Sequence, residues 1–287
     1  MPSERPNILL ILADQYRHDC LSCLDHPVVR TPHLDALAAD GVLFSSAYCA
    51  SMACAPSRAS IMTGRHLSGH NVTNNSIDLD PPDKPVLAQL LQQSGYDTAL
   101  VGKLHLKPFH RDFGFRHFLR HDAPYTNYYE PEAHESAYVD FLKETQFRDD
   151  PERPVREFTA DEACDGTDEL RFILGTNIAD EAHHETTWVS RESIRFLDEE
   201  WDRDRPFFLN CSFYGPHQPY LCPGPWESLY DPDDIPLPAG FDFPIKDKPI
   251  FAGSGLAERR DGRRDWDEAT FKRVLSAYYG YVSMIDH

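Results

Sequence analysis

Two nearly continuous apolar runs, Asn7–Ala13 and Pro206–Phe213, constrain this chain more than any other feature. A strand with one wet face alternates apolar and polar residues. A strand covered on both faces need not, and that pattern belongs to parallel sheets. Tyr96–Gly102 reads as a further strand, and so does Val42–Tyr48. Between them lie helical stretches. Thr31-Pro32 is a cap and first residue for a helix reaching Asp40 and stopping at Gly41. Pro85–Ser94, Asp180–Trp201 and Asp265–Met284 carry apolar residues at helical spacing. The expected fold is α/β, with a mostly parallel central sheet sandwiched by helices. Open sheets of this kind bind ligands beyond the C-terminal ends of their strands. Polar residues follow each of three runs directly: Asp14-Gln15, Lys103-Leu104-His105 and Gly215-Pro216-His217. In extended chain Lys103 and His105 point to one side, so a cation and an imidazole share a pocket.

The stretch from Cys54 to Arg65 reads Cys-Ala-Pro-Ser-Arg-Ala-Ser-Ile-Met-Thr-Gly-Arg. Pro56 suits a first helical position, and Gly64 sits where the helix stops. Cys54 then lies just before a helix N-terminus, where free backbone N–H groups and the dipole favour an anion. Arg58, a turn later, can turn its guanidinium fork to the same place. Cysteine, helix start and arginine together make a site for a tetrahedral oxyanion.

This dodecamer resembles the Cys-x-Pro-Ser-Arg…Thr-Gly-Arg signature of the type I sulfatases in the alkaline phosphatase superfamily, and the match is complete. The resemblance implies an alkaline-phosphatase/sulfatase-like fold. It also implies oxidation of Cys54 to formylglycine by a separate formylglycine-generating enzyme acting before folding, the hydrated aldehyde then serving as nucleophile. Further motifs carry the same resemblance. The strand ending at Asp14 matches the first metal-ligand position, with Gln15 where a second acid is usual. An amide oxygen can still coordinate a hard cation, at the loss of one negative charge. Gln15 is also similar to the phosphonate monoester hydrolase and choline-sulfatase-like branches. Gly102-Lys103-x-His105 matches the lysine and histidine that contact sulfate and nucleophile. Pro216-His217-x-Pro219 matches the element whose histidine assists the leaving group. Asp286-His287 matches the last metal pair. The implied catalytic set is Cys54, Arg58, Lys103, His105 and His217, and the implied metal ligands are Asp14, Gln15, Cys54, Asp286 and His287. Mostly oxygen donors favour Ca²⁺, with Mn²⁺ or Mg²⁺ as alternatives.

The net charge of −19 argues against nucleic acid and anionic membrane surfaces as partners. An enzyme for anionic esters with this charge must gather its cations locally. Seven cysteines, an odd number at irregular spacings, fit reduced thiols. The start lacks a basic segment joined to a long apolar core, so a cytoplasmic protein is expected. From about 108 to 180 the pattern is poor and reads as an insertion with some secondary structure that shapes the pocket. Tyr125, Tyr128 and Tyr129 in it are as compatible with an aromatic wall as with packing. His183-His184 reads as surface, and so does the basic run Arg259, Arg260, Arg263 and Arg264.

The resemblance makes residues 1–287 one catalytic domain. Relatives continue with further strands, a later lysine and a C-terminal subdomain, so the chain reads as the N-terminal portion of a longer protein. The expected function is hydrolysis of a small-molecule or saccharide sulfate monoester. Phosphonate monoester or phosphodiester hydrolysis on the same scaffold is the alternative. An inactive binding domain is a third reading, from a different class.

Overall fold

The computed structural model describes residues 5–79, 85–122, 136–145, 147–150, 158–160, 174–177, 179–239, 241 and 267–287. In chain order the elements are β1 (Ile8–Ala13), α1 (Pro32–Asp40), α2 (Cys54–Thr63), α3 (Leu67–His70), α4 (Leu87–Gln93), β2 (Asp97–Gly102) and β3 (His117–Arg120). They continue with α5 (Ala137–Glu144), β4 (Phe158–Ala160), β5 (Gly175–Asn177), α6 (Glu185–Arg195), β6 (Phe207–Phe213) and α7 (Glu268–Asp286). The chain divides into two compact units. One comprises Met1–Gln15, Val42–Glu157 and Glu181–Tyr214, the other Tyr16–Gly41, Phe158–Asp180 and Gly215–His287. Among the described residues no helix is long and apolar enough to cross a membrane. Tyr125, Tyr128, Tyr129 and the arginine run at 259–264 lie outside the described residues.

The first unit holds a parallel sheet in the order β1-β6-β2-β3. Every residue of β2 and β6 is buried, as runs without alternation require. β1 differs from the expectation. It is an edge strand, and Leu9 and Ile11 are about half exposed while Ile8 and Leu10 pack on the core. One face of β1 is therefore open although both faces are apolar. Helix α2 packs Ala55, Ala59 and Met62 against Leu100, Leu104, Phe113 and Phe208. Each such leucine or phenylalanine side chain contributes roughly 1.5–3 kcal/mol by leaving water. Gly102 ends β2 at φ +94°, and a Cβ there would lie 2.0 Å from the Ser212 carbonyl oxygen. Only glycine lets β2 and β6 approach so closely where the sheet meets the loop carrying Lys103.

Two expectations need correction in this unit. Val42–Tyr48 is not a strand: it has no ladder partner among the described residues, and Val42, Phe44 and Tyr48 are each more than three-quarters exposed. Apolar composition gives strand propensity, but a strand needs an edge to pair with. β3 and α5 lie inside the 108–180 stretch, which was expected to hold some secondary structure of its own. His184 is buried rather than superficial. Its Nδ1 accepts the Thr186 N–H at 3.2 Å and caps α6, which therefore starts five residues later than expected.

The second unit is built on α7. Its Tyr278, Tyr279 and Val282 pack with Cys20, Val29 and Ile235. A short antiparallel pair, β4 and β5, belongs to the same unit. Helix α1 begins at Pro32 as expected, but Thr31 does not cap it with its side chain. The Thr31 hydroxyl is engaged with Ser22 and Asp35 instead. The Asp286 carboxylate at the end of α7 takes over the capping. It accepts the His33 N–H at 3.1 Å and the Leu34 N–H at 2.7 Å, two of the donors a helix start leaves unpaired. Asp286→Ala, measured by urea unfolding in the presence of a chelator, is expected to cost about 1–2 kcal/mol. An unchanged midpoint would show that α1 does not depend on this cap.

Candidate active site

Helix α2 starts at Cys54 itself, with Ala53 extended before it and Pro56 in the first turn. Pro56 is thus the third helical residue, not the first, and Cys54 lies inside the helix start. The Asn75 side chain accepts the Ala55 N–H at 3.1 Å. Gly64 closes the helix at φ +63°, as the sequence predicts.

Four expected residues meet in the first unit. Asp14, at the end of β1, is buried, and its carboxylate lies 2.8 Å from Lys103 Nζ and 3.2 Å from Arg58 Nη2. Cys54 Sγ is 3.5 Å from Asp14 Oδ1 and 4.0 Å from Lys103 Nζ. Arg58 is fixed from its other side by the Lys103 carbonyl at 2.6 Å and Ser212 Oγ at 2.9 Å. Lys103 is 1% exposed, with its ammonium 4.5 Å from the centre of the Tyr214 ring. Two cations face one carboxylate, so the cluster carries one positive charge in excess within a strongly acidic chain. Burying that excess is costly unless an anion completes it.

Ser212, Tyr214 and Asn75 were not anticipated. Ser212 had a signal, since a hydroxyl in an apolar run on a central strand needs a partner. Tyr214 follows β6 as Lys103 follows β2, and its placement was open to the same reasoning. Asn75 had no signal in the sequence.

Burial pushes the Cys54 thiol up. Lys103 opposes this, and Asp14 adds to it. As a thiol it stays protonated at neutral pH, unlike cysteines that act as nucleophiles themselves. Gln15 is exposed and takes a left-handed backbone at φ +59° directly after Asp14. His105, also left-handed at φ +52°, is drawn down to about 3 by burial and by the nearby positive charges of Lys103 and Arg58. Its imidazole is therefore neutral in the resting site.

The remaining expected residues belong to the second unit. His217 is partly buried in the turn after β6. Asp286 caps α1 as described. His287 follows α7, its ring 5.3 Å from that of Trp226 and 6.1 Å from that of His33. In the first unit Asp14 brings a carboxylate oxygen of the kind a hard divalent cation takes. Asp14 alone, already beside two cations, would not suffice; the fit depends on the other donors.

A depressed histidine pKa has a defined sign. His105 moves from the usual value near 6.5 to about 3, so the folded state binds fewer protons than the unfolded chain between those values. Its contribution to stability is complete above pH 6.5 and is lost as pH falls toward 3. By NMR, the His105 ring is expected to stay neutral at pH 5. His105→Gln is expected to flatten the acid limb of the stability curve. A His105 titration near 6.5 would contradict this picture of the site.

Comparison with known proteins agrees with the geometry. The family model described as Sulfatase matches residues 6–287. An arylsulfatase of Clostridium perfringens is 31% identical over 99% of this chain and 57% of its own length. The multifunctional alkaline phosphatase superfamily protein PehA of Trinickia caryophylli is 25% identical over 98% of this chain and 58% of its own. Among solved structures, the phosphonate monoester hydrolase of Agrobacterium radiobacter superposes with a TM-score of 0.74 at 26% identity, covering 98% of this chain and 57% of that one. The chain thus spans little more than half the length of these relatives.

Proposed function

The chain belongs to the sulfatase family, and we propose that it hydrolyses a sulfate monoester, with Cys54 oxidised to formylglycine. The observation that carries the proposal is the Asp14–Cys54–Arg58–Lys103 cluster, with its excess positive charge at the start of α2. Such a site recognises a tetrahedral oxyanion and stabilises charge developing on it. Formylglycine supplies a hydrated aldehyde, one oxygen of which can attack sulfur while the other allows the sulfate to be released. Asp14 would hold a divalent cation, with Gln15, Cys54, Asp286 and His287 as the ligands the family pattern adds, and when bound that cation would supply Lewis-acid charge. Ca²⁺ suits these donors first, then Mn²⁺ or Mg²⁺.

The protein's own side chains divide the remaining work. Arg58, held by Asp14, Ser212 and the Lys103 carbonyl, orients the nucleophile. Lys103 offsets the negative charge that builds on the non-bridging oxygens. His217 gives a proton to the departing alcohol oxygen. His105, neutral at rest, takes a proton from the second hydroxyl so that sulfate leaves and the carbonyl re-forms. An arriving anion offsets Lys103 and Arg58, which raises the basicity of His105 at the moment it is needed. A formylglycine-generating enzyme is the partner this scheme requires. A reducing, cytoplasmic setting suits the free thiols, and the substrate is a small-molecule or saccharide sulfate ester.

A phosphonate monoester or phosphodiester hydrolase is the second reading, favoured by the likeness to the Agrobacterium radiobacter enzyme and by Gln15 and His287. Two measurements decide. Mass spectrometry of the Cys54 peptide, in protein from its native host, is expected to show a loss of about 18 Da relative to cysteine. An unmodified thiol removes the nucleophile and leaves a binding domain. Paired assays with an aryl sulfate and an aryl phosphonate monoester are expected to favour the sulfate. A phosphonate rate far above the sulfate rate overturns the first reading.

A further inference from the structure

Asp122 stands two residues beyond the last paired positions of β3, buried, one strand over from the loop that carries Lys103 and His105. Its Oδ1 accepts two successive backbone N–H groups of that loop, Leu104 at 2.9 Å and His105 at 3.0 Å. Its Oδ2 accepts Arg120 Nε at 2.9 Å and Arg120 Nη2. Arg120 is itself buried and also donates to the carbonyls of Leu106, at 2.7 Å, and Phe109. Burial would raise the Asp122 carboxyl, but the charge and hydrogen bonds of Arg120 overcome it and hold the group well below the usual carboxylate range. One ion pair thus grips the loop at Leu104, His105, Leu106 and Phe109.

The loop needs such a grip. His105 is held at φ +52°, a left-handed backbone that only a few per cent of non-glycine residues adopt, although histidine takes it more readily than most. Without a restraint the backbone after Lys103 would relax to an extended path and turn the imidazole elsewhere. Lys103 is already pinned on its N-terminal side, where its N–H donates to the Ser212 carbonyl at 2.8 Å. Asp122 pins the C-terminal side. Charge-assisted hydrogen bonds to both of the following amides are the strongest acceptors available for that purpose.

We propose that Asp122, backed by Arg120, is a positioning residue for catalysis: it holds the Lys103–His105 loop in its left-handed turn, fixes the path of the His105 side chain and keeps the Lys103 ammonium beside Asp14 and Cys54. The proposal rests on the sulfatase reading for its catalytic consequence and on the loop geometry alone for its structural one. Asp122→Asn keeps the size but sets an NH₂ group against either Arg120 or the two amides.

The test has two arms. In the first, Asp122→Asn, His105→Ala and the double variant are compared on an aryl sulfate, with Cys54 conversion matched by mass spectrometry. Asp122→Asn is expected to lower kcat by roughly 10-fold or more with KM changed less than about 3-fold, and to add less than about 3-fold in the His105→Ala background. Equal losses in both backgrounds would mean that Asp122 acts through general stability, and would overturn the proposal. In the second arm, hydrogen exchange at the Leu104 and His105 amides is expected to be slow in the unsubstituted protein and fast in Asp122→Asn, with the amides of β2 still protected. Fast exchange at these amides in the unsubstituted protein overturns the proposal even if the variant fails to fold. If the unsubstituted protein hydrolyses neither ester, the sulfatase reading falls and the exchange arm still decides the role of Asp122.

Discussion

A buried carboxylate shared by two cations is the constraint around which the first unit is arranged. Asp14 comes from β1, Arg58 from α2 and Lys103 from the end of β2, and none of the three could be buried alone. Removing one member of such a group leaves a charge stranded in a low-dielectric setting, at a cost of about 3–5 kcal/mol. The strand order follows the same logic: β6 lies between β1 and β2, and its Ser212 supplies both a hydroxyl to Arg58 and a carbonyl to the Lys103 amide. The anchoring of a charged site and the closure of the sheet are one set of contacts. The excess of cations over carboxylates in the set is the ground on which the anion-binding role is proposed.

The fold was legible where burial and composition agree. β2 and β6 are covered on both faces, so unalternating runs named them correctly. The same reasoning misjudged β1, whose Leu9 and Ile11 stand half exposed, and Val42–Tyr48, which pairs with nothing described. A run of apolar residues states what a segment could bury, not what lies beside it. β3 escaped notice for the opposite reason: His117 and Arg120 make it look polar, yet Arg120 is buried by an ion pair that composition cannot show.

The site was legible at the level of residues and less so at the level of geometry. Cys54 and Arg58 were named from a helix start, Asp14 and Lys103 from strand ends together with the sulfatase resemblance, and the four lie within hydrogen-bond or near-contact distances. The helix start itself was misplaced by two residues, because Pro56 tolerates the third helical position as well as the first. Thr31 was expected to cap α1, but its hydroxyl serves a local network and a distant carboxylate caps the helix. Asp122, whose role is to hold others, announces itself only once strands are laid side by side.

The Asp286 cap also bears on how the chain is made. The carboxylate that completes the start of α1 is 252 residues further along than the Leu34 amide it accepts. A chain synthesised from its N-terminus at roughly 10 residues per second must wait roughly 25 s before that partner exists. During that interval the helix start has only water for its first amides, and Pro32 and the Ser22–Thr31–Asp35 network must hold the segment without it. The second unit therefore joins segments far apart in the chain, and Tyr16–Gly41 lacks its partners until Gly215–His287 has been made.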